Sequence, residues 1–144
     1  MNERFFYLDT SALIKRYVEE VGSQEVENIW PANCHSLSSA ALTYAEIYAT
    51  FYRLNREGRI SGKQLSILCR EFEEDWKTFA IIDFSSEVRK EVPNIISRCS
   101  LRGADLLHLA SAISLKGQGL PIELITFDSR MIQACEDLDL KCLP

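Results

Sequence analysis

Apolar positions along the chain fall into two rhythms. Short blocks at residues 5–8, 79–84 (apart from Asp83) and 121–127, an alternating stretch at 34–38 and a last one at 141–143 have the length and spacing of strands. Between them, apolar residues return every three or four positions, as on one face of a helix. Leu13, Ile14, Tyr17 and Val18 predict a helix over 11–20, capped by Thr10 or Ser11 and stopped by Gly22. Val26, Ile29 and Trp30 predict a shorter helix that Pro31 and Asn33 close. Leu42, Ala45, Ala49 and Tyr52 predict one side of a long helix over 40–57, with Gly58 as its stop signal.

Ser61 and Gln64 have the spacing of a capping box, which opens a helix to about residue 77 that folds back on its predecessor as a hairpin. Ser85 or Ser86 then caps a helix running towards Cys99, in which Pro93 predicts a kink or a break. Gly103, Ala104 and Asp105 begin a further helix that residues 116–119 end, and the last helix covers 129–138. Three strands each followed by paired helices, then strand, helix and strand, imply a parallel sheet with right-handed crossovers and helices on both faces. No repeat, linker or low-complexity tract divides the chain, so residues 1–144 are expected to form a single domain.

Composition narrows the class. At 144 residues and 47% hydrophobic, the chain is rich enough in apolar side chains to bury a sizeable core. Its longest apolar stretch, 106–115, is interrupted by His108, Ser111 and Ser114 and is much shorter than the roughly 20 residues of a membrane span. No membrane association is expected. Nor does the N-terminus carry the basic and apolar regions of a secretory signal, which predicts a cytoplasmic protein. Five widely spaced cysteines, Cys34, Cys69, Cys99, Cys135 and Cys142, lack zinc-site spacing and read as reduced thiols. A net charge of −5 argues against coating nucleic acid by bulk charge, while leaving room for a local basic patch.

Four acids change the picture. Asp9 and Asp128 each follow an apolar run, as if released at the carboxyl end of a strand, where open parallel sheets bind ligands. Glu46 and Asp105 interrupt helical segments that otherwise look largely buried, and charged side chains are seldom buried without a partner. Taken singly, the aspartates can be helix caps, and Glu46 an exposed helix residue. Taken together, clustered carboxylates repel one another and are tolerated where a hard divalent cation neutralises them.

The segments Leu8-Asp9-Thr10-Ser11-Ala12-Leu13, Ala45-Glu46, Ala104-Asp105-Leu106-Leu107-His108-Leu109-Ala110 and Thr126-Phe127-Asp128 resemble the four acidic motifs of the PIN-domain nucleases, most closely the VapC-type toxins of toxin–antitoxin pairs. The resemblance spans essentially the whole chain. It implies a three-layer α/β/α sandwich and a magnesium- or manganese-dependent endoribonuclease with Asp9, Glu46, Asp105 and Asp128 as catalytic acids. Asp9 and Asp105 would hold the metal, with Glu46 and Asp128 assisting. It also implies an RNA substrate, a small antitoxin partner and a homodimer. A stand-alone PIN nuclease of RNA processing and a non-catalytic binding module on the same fold are the alternatives.

Ser11 and Thr126 are placed to hydrogen-bond either the carboxylates or a phosphate, or to serve only as caps and strand packing. Arg102 and Arg130 flank two of the acids and are candidates for substrate grip. Arg53, Arg56, Arg59 and Lys63 gather at the helix hairpin, where they form either a second basic patch or a solvated helix end. Tyr44, Tyr48, Phe51 and Tyr52 are core or a partner surface. His108 reads as a buried, hydrogen-bonded histidine, and His35 lies in a strand.

Overall fold

The computed structural model describes residues 3–30 and 35–144. Five parallel strands, β1 (Arg4–Leu8), β2 (His35–Ala40), β3 (Ala80–Ile82), β4 (Ile122–Ile125) and β5 (Cys142–Leu143), form one sheet in the order β3-β2-β1-β4-β5. Seven α-helices connect them: α1 (Thr10–Leu13), α2 (Ser23–Ile29), α3 (Ala41–Arg56), α4 (Gly62–Trp76), α5 (Ser86–Ile96), α6 (Gly103–Gly117) and α7 (Ser129–Asp137). The chain leaves β1 for β2 on one side and later returns to β4 on the other. Strand order therefore reverses between β1 and β4, the place where a crevice opens beyond the strand ends.

Alternation along β1 divides the interior. Phe6 and Leu8 point to one face and pack with Val26, Ile47, Phe51 and Phe72 from α2, α3 and α4. Tyr7 and Phe5 point to the other and pack with residues of α5, α6 and α7, including Val88, Leu109 and Met131. Two apolar layers on one sheet make the α/β/α sandwich.

On the first face, Phe72 is fully buried and its ring meets Tyr17, Tyr44, Tyr48, Phe51 and Trp76 at centroid distances of 5.4 to 6.3 Å. Hydroxyls finish what the apolar contacts begin. Ser38 and Ser39 on β2 donate to the carbonyls of Phe6 and Leu8, and Ser39 also donates to Thr43 at the start of α3.

Several local expectations change. The first helix is only four residues long and passes into a 3-10 turn, Ile14–Arg16. Its cap is Asp9, not Thr10 or Ser11: the Asp9 carboxylate accepts the Ala12 N–H at 3.0 Å, so Thr10 and Ser11 are drawn into the first turn. The buried side of α3 is Thr43, Ile47, Phe51 and Leu54, while Ala45, Ala49 and Tyr52 face solvent. The larger side chains win the interior, and small alanines are tolerated outside it.

α5 runs unbroken through Pro93, which is exposed together with Arg89, so water can satisfy the one carbonyl that proline leaves without its N–H. Ser85 is the cap of α5, and Ser61 and Gln64 form both halves of the capping box on α4. Pro31, Asn33 and Cys34 lie outside the described residues, and so does the side chain of His35. Cys69, Cys99, Cys135 and Cys142 are free thiols. Among the described residues no helix is long and apolar enough to cross a membrane.

Gly22 precedes α2 with φ +101°, and a Cβ there would stand 2.6 Å from the Phe127 ring. Only glycine lets this turn close against the end of β4.

Candidate active site

β1 and β4 deliver Asp9 and Thr126 side by side, because the two strands pair in register from Phe5 opposite Ile122 to Leu8 opposite Ile125. The Asp9 N–H continues the ladder to the Ile125 carbonyl at 3.3 Å. The Asp9 carboxylate is buried and held from three directions: Ser11 donates to Oδ1 at 2.6 Å, Thr126 to Oδ2 at 2.5 Å and the Ala12 N–H to Oδ1. Ser11 and Thr126 thus serve the carboxylate. Burial pushes the Asp9 carboxyl above its ordinary range, against the opposing pull of these hydrogen bonds.

Glu46, one and a half turns into α3, leans towards the same strand end. Thr10 donates to its Oε1 at 2.5 Å, and His108 Nε2–H donates to the same oxygen at 2.9 Å. His108 Nδ1 in turn shares a 2.8 Å hydrogen bond with the hydroxyl of the buried Tyr7. Burial would raise the Glu46 carboxyl, but the His108 and Thr10 hydrogen bonds prevail and hold it below its usual range. Both of these hydrogen bonds fall on one oxygen of Glu46, Oε1. Sequence spacing offered His108 only as a buried histidine, and nothing local marks Thr10 or Tyr7 as its neighbours.

Asp105 sits in the first turn of α6, one turn before His108. Among the described residues its carboxylate makes no hydrogen bond or ion pair. Its pKa is raised, first by burial and then by the negative charges of Asp128 and Glu46, against His108 and Arg102. His108 is within electrostatic reach of both Asp9 and Asp105. Asp128 caps α7: its Oδ1 accepts from the N–H groups of Arg130 and Met131. The capping role and the clustering role thus coexist in one side chain. Arg102, Asp105, Asp128 and Arg130 share the wall of an open cavity of about 410 Å³.

Asp9 leaves β1 at the reversal point between β1 and β4, Glu46 is tied to Thr10 directly after it, and Asp128 and Glu46 are close enough to Asp105 to raise the energy of its charge. An all-oxygen set with one uncompensated carboxylate suits a hard divalent cation and does not suit zinc. Among the described residues no group of three or more histidine, cysteine, aspartate or glutamate side chains is arranged to hold a metal ion.

A larger cavity, about 690 Å³, lies at the opposite end of the sheet and is lined by Arg4, Glu123 and Lys141. There Glu123 is neutralised by Arg4 at 2.7 and 2.9 Å and by Lys141 at 2.9 Å.

Known proteins are similar to this chain in sequence and in fold. The chain is 28% identical over 116 residues, 81% of its length and 80% of the relative's, to Ribonuclease VapC45 of Mycobacterium tuberculosis. Its fold superposes on FitAcB from Neisseria gonorrhoeae with a TM-score of 0.72 at 19% identity, covering 96% of each chain. A toxin–antitoxin complex from Klebsiella pneumoniae gives a TM-score of 0.65 at 17% identity, covering 96% of this chain and 95% of that one. The PIN domain pattern matches residues 6–137, from the middle of β1 to the end of α7. By that match, which takes in every one of the four acids, the chain belongs to the PIN domain family.

Proposed function

We propose that this protein is a magnesium- or manganese-dependent endoribonuclease of the VapC kind, the toxin of a toxin–antitoxin pair. The observation that carries the reading is Asp105, an unpaired carboxylate at the start of α6 that Asp128 and Glu46 repel. The names of the ribonuclease relative and of the toxin–antitoxin complex support the activity and the small antitoxin partner.

In this reading the whole chain acts as one domain in the cytoplasm. Asp9 and Asp105 hold the ion, Ser11 and Thr126 keep the Asp9 oxygens aimed, and Glu46 turns its unclaimed oxygen to the ion's water shell. Asp128, with Oδ1 spent on α7, offers its other oxygen to orient the attacking water. Arg102 and Arg130 grip the phosphate from the α6 and α7 side. When bound, the ion supplies positive charge at the phosphate and an acidified water. Homodimerisation through the exposed side of α3, where Tyr52 stacks on Tyr48, completes the proposal. Sedimentation of the purified protein as a monomer contradicts that last part.

Because Asp9 and Asp105 have raised folded pKa values, the ion-free protein binds protons more tightly than the unfolded chain. The stability they contribute is fully present below the usual carboxylate range and is lost as pH rises through the folded values. A cation binds the ionised forms, so its benefit grows over the same window. Saturating manganese, at about 100 times its dissociation constant, is expected to add about 2.7 kcal/mol, or roughly 5–10 °C in Tm, near pH 8. Near pH 5 the increment is expected to be smaller. Melting curves that ignore magnesium and manganese at both pH values contradict the metal site.

His108 acts through Glu46 as a positioning residue. His108→Ala frees Glu46 Oε1 from its ring donor and is expected to lower cleavage or manganese affinity about 10–100-fold. His108→Gln, which can still donate, is expected to recover part of that loss in titration calorimetry and cleavage assays. Equal defects in the two variants would reduce His108 to core packing.

A further inference from the structure

On the other side of Thr10 and Ser11 from Arg102 and Arg130 lies a separate cavity of about 270 Å³, whose wall includes Thr10, Ser11, Thr50, Arg53 and Arg59. The hairpin's basic residues divide there. All four side chains are exposed, but only Arg53 and Arg59 line the cavity, and Arg56 and Lys63 lie elsewhere on the hairpin. One carboxylate, Glu57, stands 4.0 Å from Arg53 and 3.8 Å from Arg59, at the outer limit of an ion pair with either. The cavity's own acid, Glu20, is already matched by Lys15 at 2.9 Å. Two guanidiniums thus face the cavity with donors to spare, the chemistry of a phosphate clamp.

The hydroxyls add a second property. Thr10 donates its proton to Glu46, Ser11 to Asp9 and Thr50 to the Glu46 carbonyl at 2.9 Å. Each proton is spent, and because Ser11 already accepts the Phe127 N–H at 3.1 Å, it is Thr10 and Thr50 that offer a ligand acceptor lone pairs. A phosphate oxygen has no proton to give them. A ribose 2′-hydroxyl does, and it is the group that distinguishes RNA from DNA.

We propose that this cavity is a nucleotide subsite of the active centre, in which Arg53 and Arg59 hold a backbone phosphate next to the scissile one and the hydroxyl wall accepts a ribose 2′-hydroxyl. The inference rests on the ribonuclease reading and deepens it: the strand passes from Arg102 and Arg130, over the acids, to Arg53 and Arg59. The pocket holds about nine waters' worth of space, room for a phosphate and its sugar but not for a duplex. The sugar seated there is checked beside the chemistry.

The test is fluorescence anisotropy with a mixed-sequence single-stranded RNA of about twelve nucleotides, a length that covers several phosphates, and with its DNA counterpart. The protein is the full chain in an Asp105→Asn background, which stops cleavage. Adding Arg53→Gln with Arg59→Gln is expected to weaken RNA binding about tenfold and to flatten the salt slope by about 0.7. Thr50→Val is expected to weaken RNA about threefold, the scale of one neutral hydrogen bond, and to leave DNA unchanged. Arg56→Gln with Lys63→Gln, carrying the same charge change, is expected to do little to either. Equal losses from the two double variants, or a Thr50→Val effect shared by RNA and DNA, overturns the subsite. So does displacement of the RNA by polyglutamate as readily as by unlabelled RNA, which assigns the cavity to an acidic peptide. Wild-type protein that cleaves no RNA with magnesium or manganese, while these binding differences hold, removes the nuclease reading and leaves the subsite.

Discussion

Asp105→Asn is expected to lower RNA cleavage by about 10³-fold and, in the metal-free protein, to raise the melting temperature. The first effect follows if Asp105 is one of two carboxylates holding the ion. Losing it forfeits several kcal/mol of charge stabilisation at the phosphate, and each 1.4 kcal/mol is about tenfold in rate. The second follows from the pKa of Asp105, raised by burial and by the charges of Asp128 and Glu46. Asparagine keeps the size and removes the repelled charge, so the ion-free fold gains at neutral pH what the carboxylate had cost it. The two signs together are the signature. A variant that loses both activity and stability points to a structural role in starting α6, and one that keeps full activity removes Asp105 from the site. Cleavage of a labelled RNA and calorimetric melting, both with the ion buffered, read the two effects.

Phe72→Ala is expected to destabilise the protein by about 3–5 kcal/mol, or roughly 10–15 °C in Tm. Phe72 is the only fully buried residue of α4, and its ring joins that helix to Tyr17 beyond α1 and to Tyr44, Tyr48 and Phe51 on α3. Truncation leaves a void among rigid aromatic rings that cannot easily collapse into it. The other apolar residues that α4 lends to this layer, Leu65, Leu68 and Trp76, are only partly buried, and its polar ties are Tyr44 and Tyr48 donating to Glu73 and Tyr17 donating to Asp75 at 2.7 Å. Those bonds exchange with water and do not replace a buried ring. Because Phe72 itself supplies no group to the site, the variant is expected to cleave RNA normally at temperatures well below its new midpoint. A shift in denaturant midpoint worth less than about 1 kcal/mol contradicts the core assigned to α4.

Features that depend on near neighbours were legible in the sequence. Ser61 and Gln64 announced the capping box because both halves lie within one turn. Asp9 and Asp128 announced strand ends because an apolar run stops at each. The parallel sheet followed from the alternation of strands and helices, and the family pattern over residues 6–137 agrees with the four acidic motifs.

What escaped depends on distant partners or on competition between similar alternatives. The spacing of Leu13, Ile14, Tyr17 and Val18 suits a helix, but Asp9 takes the cap and the chain tightens into a 3-10 turn after one turn of α1. Ala45 and Ala49 looked like core on α3, yet Thr43 takes the interior because Ser39, on a different element, satisfies its hydroxyl. His108 meets Tyr7 and Glu46, which lie 101 and 62 residues away, so spacing along α6 could not reveal that it positions an acid. The division of the hairpin's basic residues into a pair that lines a cavity and a pair that does not likewise needs the turn of the chain to be known.

Manganese anomalous scattering from a soaked crystal addresses most directly whether these acids share a cation. The expected result is a peak bounded by Asp9 and Asp105, touching their carboxylates directly or through water, with Glu46 and Asp128 beside it. Density lacking any peak there, or a peak only in the far cavity at Glu123, would contradict it.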